Sequence, residues 1–145
     1  MASEVIPKFE DELRARSAKI LVVDDDLRDL RITRLTLEGQ GYEVFTCVAF
    51  DAALQCLEAV KLDFVLVCQG TRAFEGRQVL ERAIQLNRHT PVLVLTRCID
   101  MRCYLEAMQL GAIDYLEKPV PPSDLLRFVR AHVLAGQFRL RQSAV

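Results

Sequence analysis

The chain has 145 residues, 51% hydrophobic and 27% charged, with a formal net charge of −1. That length suffices for one well-packed domain with short extensions, and the near-neutral charge excludes a global pull toward nucleic acid. The apolar runs ILVV, FVLV and VLVL are too short to cross a bilayer and the charged N-terminus lacks a signal-peptide core, so a cytoplasmic protein that engages no membrane is expected.

Residues 1–18 form an N-terminal extension whose charged, weakly amphipathic part, 9–16, reads as an extra helix. The first strand pattern is KILVVD at 19–24, followed by a helix pattern over 28–38 that Gly39 and Gly41 terminate. A second strand, YEVFTC at 42–47, leads to a helix over 51–60. A third, DFVLVC at 63–68, leads to one over 76–87. The fourth, PVLVLT at 91–96, precedes a helix over 101–110 that stops at Gly111. The fifth, AIDYL at 112–116, precedes a helix over 123–135. Ser123 is the expected cap of that last helix, with Asp124 complementing its dipole. Most of these strands are continuous and rich in β-branched residues, the pattern of strands buried on both faces of a parallel sheet. Five strands alternating with five helices predict a three-layer α/β domain over 19–136. Residues 137–145 read equally as a continuing helix or as the start of a linker.

Five cysteines, at 47, 56, 68, 98 and 103, form neither a CxxC pair nor a zinc-ligand ladder. They read as reduced thiols, three of them core filler in apolar surroundings. Cys68 differs because it ends a strand, and ligands of open parallel sheets sit beyond the carboxyl ends of the strands. The other ends carry Asp24, Asp25 and Asp26 after the first strand, Thr96 on the fourth, and Lys118-Pro119 beyond the fifth. Acids, a hydroxyl and a lysine on one edge outline a site for a divalent cation and a phosphoryl group. Taken singly, the aspartates would be a solvated turn capping the first helix, Thr96 a strand-end hydroxyl, Lys118 a surface lysine and Tyr115 a half-buried aromatic.

In LVVDD at 21–25, Gly76, Thr96 and GAIDYLEKPV at 111–120, in this order and spacing, the sequence resembles the receiver domain of two-component response regulators over nearly all of 19–135. The resemblance implies a doubly wound, flavodoxin-like five-stranded parallel sheet with strand order 2-1-3-4-5. It implies that Asp24 and Asp25 hold Mg²⁺, Asp25 directly, together with the carbonyl of Gly70. Thr96 and Lys118 would hold the phosphoryl group, Tyr115 would be the aromatic switch, and the Lys118-Pro119 bond would be cis. The segment YLEAMQLGAIDYLEKPV looks most like receivers attached to transcriptional output domains.

The likeness breaks at the third strand, where the family's phosphoacceptor aspartate corresponds to Cys68. Asp63 lies at the opposite end of that strand, about 16 Å from the acidic cluster at about 3.3 Å per residue. A one-residue slip would turn the apolar pattern inside out, so Asp63 cannot serve. Arg72 stands where receivers usually carry a proline. A thiol offers Mg²⁺ no carboxylate oxygen, so a weakened or absent magnesium site is expected, and with it the loss of aspartyl phosphorylation.

Three functions follow as expectations. The first is a non-enzymatic regulatory module of a phosphorelay, degenerate at Cys68. Its partners would be a histidine kinase, an output domain, or a second copy docked through residues 101–135. The second is a redox-responsive receiver in which Cys68 oxidises, pairing with Cys98. The third is thiol-based phosphoryl chemistry, which would want a phosphate-cradling CxxxxxR loop where residue 74 is Phe.

Overall fold

The computed structural model describes residues 17–143; the helix expected over 9–16 and the last two residues lie outside that range. Five strands, β1 (Lys19–Val23), β2 (Glu43–Cys47), β3 (Phe64–Cys68), β4 (Val92–Thr96) and β5 (Asp114–Glu117), form one sheet. They alternate with helices α1 (Leu27–Glu38), α2 (Phe50–Ala59), α3 (Arg77–Leu86), α4 (Met101–Gln109) and α5 (Pro122–Ser143). Neighbouring strands are parallel in the order β2-β1-β3-β4-β5, the order the resemblance implied.

Side chains of each strand alternate between the two faces. Leu21, Val23, Val65, Val67 and Val94 pack with Ala53, Leu57, Val79, Leu80, Ala83, Cys103 and Ala107, so α2, α3 and α4 cover one face. Ile20, Val22, Phe64, Leu66, Leu93 and Leu95 pack with Leu30, Leu37, Leu125, Val129 and Val133, so α1 and α5 cover the other. Both faces are dry, which is why β3 and β4 read as unbroken apolar runs.

Most element boundaries move by a single residue from the sequence expectation; those of β5 and the last helix are the informative ones. β5 starts at Asp114, because Ala112 closes the end of α4 by donating its N–H to the carbonyl of Ala107. The last helix begins with Pro122 in its first turn, where the missing N–H costs no helical bond, so Ser123 lies inside the helix and does not cap it. The same helix runs through Gly136 to Ser143. No described helix is long and apolar enough to cross a membrane.

The loop after β3 is tightly fixed. A Cβ on Gly76 would lie 2.1 Å from the carbonyl oxygen of Cys68. Gly70 has φ +85° and Phe74, buried, has φ +56°. The Glu75 carboxylate accepts from the N–H (3.0 Å) and hydroxyl (2.7 Å) of Thr71, tying the loop together.

Candidate functional site at the carboxyl ends of the strands

The strand register brings Val23, Cys68 and Thr96 to one edge of the sheet, with Asp24 to Asp26 and Lys118 just past it. Asp24 is buried, at 4% exposure. Its Oδ1 accepts from the N–H of Asp26 at 3.0 Å, and its Oδ2 accepts from Lys118 Nζ at 2.6 Å. Lys118 Nζ also donates to Asp29 Oδ2 at 3.0 Å. Burial alone would lower the lysine's pKa, but the bonds to Asp24 and Asp29 outweigh it and the net shift is upward. Lys118 is therefore a fixed ammonium.

Asp25 points toward solvent and meets two groups. Cys68 Sγ donates to its Oδ1 at 3.5 Å, and Arg97 Nη2 donates to the same oxygen at 3.2 Å. Arg97 also pairs with Asp26 at 3.5 Å. Asp26 caps α1, its Oδ1 accepting from the N–H groups of Arg28 (2.9 Å) and Asp29 (3.1 Å). Those backbone bonds hold its carboxyl below the usual range.

Cys68 is 5% exposed. Burial pushes its thiol up to about 12, and the neighbouring Asp24 and Asp25 carboxylates push the same way. The sulfur is thus a neutral donor at physiological pH, the reverse of a reactive cysteine held beside cations.

Asp24, Asp25 and Cys68 each offer one ligand atom, all within 4.8 Å of one another. Two of these donors are hard oxygens and one is a soft sulfur carrying its proton. Mg²⁺ prefers an octahedron of oxygens, so the set suits it poorly. The carboxylates are meanwhile matched by the cations of Lys118 and Arg97.

Of the other sequence candidates, Thr96 is at the edge, and its hydroxyl is engaged by the backbone of Cys98. It donates to the carbonyl of Cys98 at 2.8 Å and accepts from that residue's N–H at 3.2 Å. Gly70 sits in the turn after β3, and the Lys118–Pro119 bond is cis. Tyr115 is buried, with its ring edge-on to Tyr104 of α4. Its hydroxyl donates to Gln69 Oε1 and accepts from the N–H of Asp100. Cys98 is exposed and bonds only locally. Asp63 lies at the far edge, accepting from the N–H of Lys19 at 2.8 Å.

Three participants escaped the sequence reading. Asp29, in the first turn of α1, was visible only as an acid near a helix N-terminus, which reads first as a dipole complement. Arg97 follows Thr96 directly and Gln69 follows Cys68; each breaks an apolar run with a polar residue, a signal that marks the position but not the partner.

The family model for the response regulator receiver domain matches residues 20–130. This chain belongs to that family, whose members act in two-component signalling. The transcriptional regulatory protein ZraR of Escherichia coli strain K12 is 35% identical over 101 residues, 70% of this chain but 23% of that protein. The chain thus spans about a quarter of the length of this curated relative. A receiver domain protein from Methanospirillum hungatei JF-1 superposes with a TM-score of 0.80 at 28% identity, covering 85% of this chain and 98% of that one. The beryllofluoride-activated DrrB receiver domain does so with a TM-score of 0.72 at 26% identity, covering 81% and 97%.

Proposed function

We propose that this is a receiver domain degenerate at its phosphoacceptor, with Cys68 in the aspartate's place, acting as a regulatory protein-interaction module and not as an enzyme. The supporting observation is the bond from Cys68 Sγ to Asp25 Oδ1 at 3.5 Å. It aims the sulfur into the acidic pocket at the end of β3, while Asp63, just before the start of that strand, is engaged at the opposite edge. A neutral thiol cannot form the acyl phosphate that a carboxylate forms, and it gives Mg²⁺ no third carboxylate, so metal binding is weak. Lys118 and Arg97 balance Asp24 and Asp25 in place of the ion.

On this reading the state of the domain is set by a cytoplasmic partner: a histidine kinase, an attached output domain or a second copy. The contact surface is residues 101–135. Met101, Leu105 and Met108 are exposed along one stripe of α4, at the i, i+4, i+7 spacing of an apolar helix face. Kinship with ZraR, named a transcriptional regulatory protein, supports a transcriptional output.

The redox alternative is disfavoured because oxidants attack the thiolate, which the acidic surroundings of Cys68 suppress. Intact-mass spectrometry after separate exposure to acetyl phosphate with Mg²⁺ and to peroxide tests the proposal. The wild-type mass should be unchanged by the phosphodonor, and peroxide should act first on the exposed Cys98. A phosphoryl adduct that survives replacement of every cysteine would overturn the reading. Reversible oxidation confined to Cys68 would favour the redox one, and Cys68-dependent turnover of a phosphorylated substrate the enzymatic one.

A further inference from the structure

We infer that Gln69 is a positioning residue that latches Tyr115 inward and thereby pins the turn between β4 and α4, independently of Thr96 and of any group on residue 68. The starting observation is a polar side chain where the sequence is otherwise apolar: Gln69, directly after β3, is 3% exposed. A buried amide is stable only when its donor and acceptor are both engaged. Here Nε2 donates to the carbonyl of Thr71 at 3.2 Å, and Oε1 accepts from the hydroxyl of Tyr115. The tyrosine hydroxyl has its proton available for that bond because its oxygen accepts from the N–H of Asp100 at 3.1 Å. Donors and acceptors therefore match along the whole chain of contacts from Thr71 to Asp100.

This chain of bonds joins three elements. Gln69 belongs to the loop that carries the site, Tyr115 to β5, and Asp100 is the N-cap of α4, its Oδ1 accepting from the N–H groups of Arg102 (3.0 Å) and Cys103 (3.1 Å). A second tie runs in parallel: Arg102 Nη2 donates to the carbonyl of Arg72 at 2.8 Å, so the loop after β3 holds α4 from two points. If Tyr115 swung outward, Gln69 Oε1 would lose its partner in a buried setting and the Asp100 N–H would lose its partner in a half-buried one. Each such loss disfavours the outward rotamer by about tenfold or more. Thr96 takes no part, because its hydroxyl closes a local turn with Cys98. The inward tyrosine is thus held by the residue after the thiol and not by the strand-end hydroxyl. Its consequence for partner binding rests on the reading of residues 101–135 as the contact face; the latch itself does not.

Hydrogen exchange read amide by amide on the full chain tests the latch. Gln69→Met keeps volume and removes both polar groups; Tyr115→Phe keeps the ring and removes the hydroxyl. Each should speed exchange of the Asp100 amide by about tenfold, with core amides such as Val65 and Val94 still protected. The double variant should add nothing further, since both changes cut the same link. Thr96→Val should loosen Cys98 but leave Asp100 within about twofold of wild type. An Asp100 amide unchanged in Tyr115→Phe or in a folded Gln69→Met would overturn the inference, as would equal loosening by Thr96→Val. None of these readouts depends on whether residue 68 accepts phosphate, so they stand apart from the test of that proposal.

Discussion

Restoring a carboxylate by Cys68→Asp should make the stability of this domain depend on magnesium. The new carboxylate would sit near the 3.5 Å at which Cys68 Sγ now meets Asp25 Oδ1. At that distance two like charges in an effective dielectric of about 20 repel by about 5 kcal/mol. Lys118 and Arg97, already bound to Asp24 and Asp25, offset part of this. The metal-free variant should still lie below wild type, within the range of about 0.5–3 kcal/mol that single substitutions commonly cost. With three carboxylates the site suits Mg²⁺, and an ion present at about 100 times its Kd returns about 2.7 kcal/mol. At roughly 3–4 °C per kcal/mol for a domain of this size, that is a rise of about 9 °C in Tm. Thermal unfolding followed by circular dichroism, in chelator and in excess Mg²⁺, reads both effects. Wild type should shift little between the two conditions and the variant should shift strongly. A variant as indifferent to Mg²⁺ as wild type would refute the geometry assigned to the pocket.

Other perturbations bear on the same cluster. Lys118→Met should destabilise by about 3 kcal/mol because it strands the buried Asp24 carboxylate, and adding Asp24→Asn should recover much of that loss in denaturant titrations. Gly76→Ala should cost about 1–3 kcal/mol, measured the same way, because its Cβ would meet the Cys68 carbonyl at 2.1 Å, and backbone atoms yield poorly. In a variant retaining only Cys68, alkylation should stay slow through pH 9, since its thiol is pushed up to about 12. The neutral thiol contributes its stability below the unfolded value near 9, and that contribution is lost as pH rises from there toward 12. Rapid labelling at neutral pH would contradict the burial of the sulfur.

Much of the fold was legible because β1, β3 and β4 are buried on both faces, and an apolar run of four or five between turn signals admits few other readings. The ends of α5 were not. The pattern places the last helix over 123–135 and admits either a continuing helix or a linker beyond Gly136; glycine ends a helix by taking a left-handed conformation, and here it stays within the helix. Pro122 fits the first turn for the reason it cannot sit deeper, which the capping rule for Ser123 overrode. At the site, strand topology alone collects Asp24, Asp25, Cys68, Thr96 and Lys118 at one edge, so their proximity could be read in advance. Direction could not. Nothing in the sequence says that the Thr96 hydroxyl turns to Cys98, that Arg97 folds back over Asp25, or that Tyr115 meets Gln69. Those outcomes depend on rotamers chosen by packing and by the need to satisfy buried polar groups.

Beryllofluoride, which activates the related DrrB receiver, offers a probe of whether residue 68 can carry a phosphoryl-like group. Fluorine NMR of the wild-type domain with beryllofluoride and Mg²⁺ should show only free species, while Cys68→Asp should show a bound resonance. A bound resonance in wild type that persists in Cys68→Ala would mean that another side chain accepts the group, and the degenerate-receiver reading would fall.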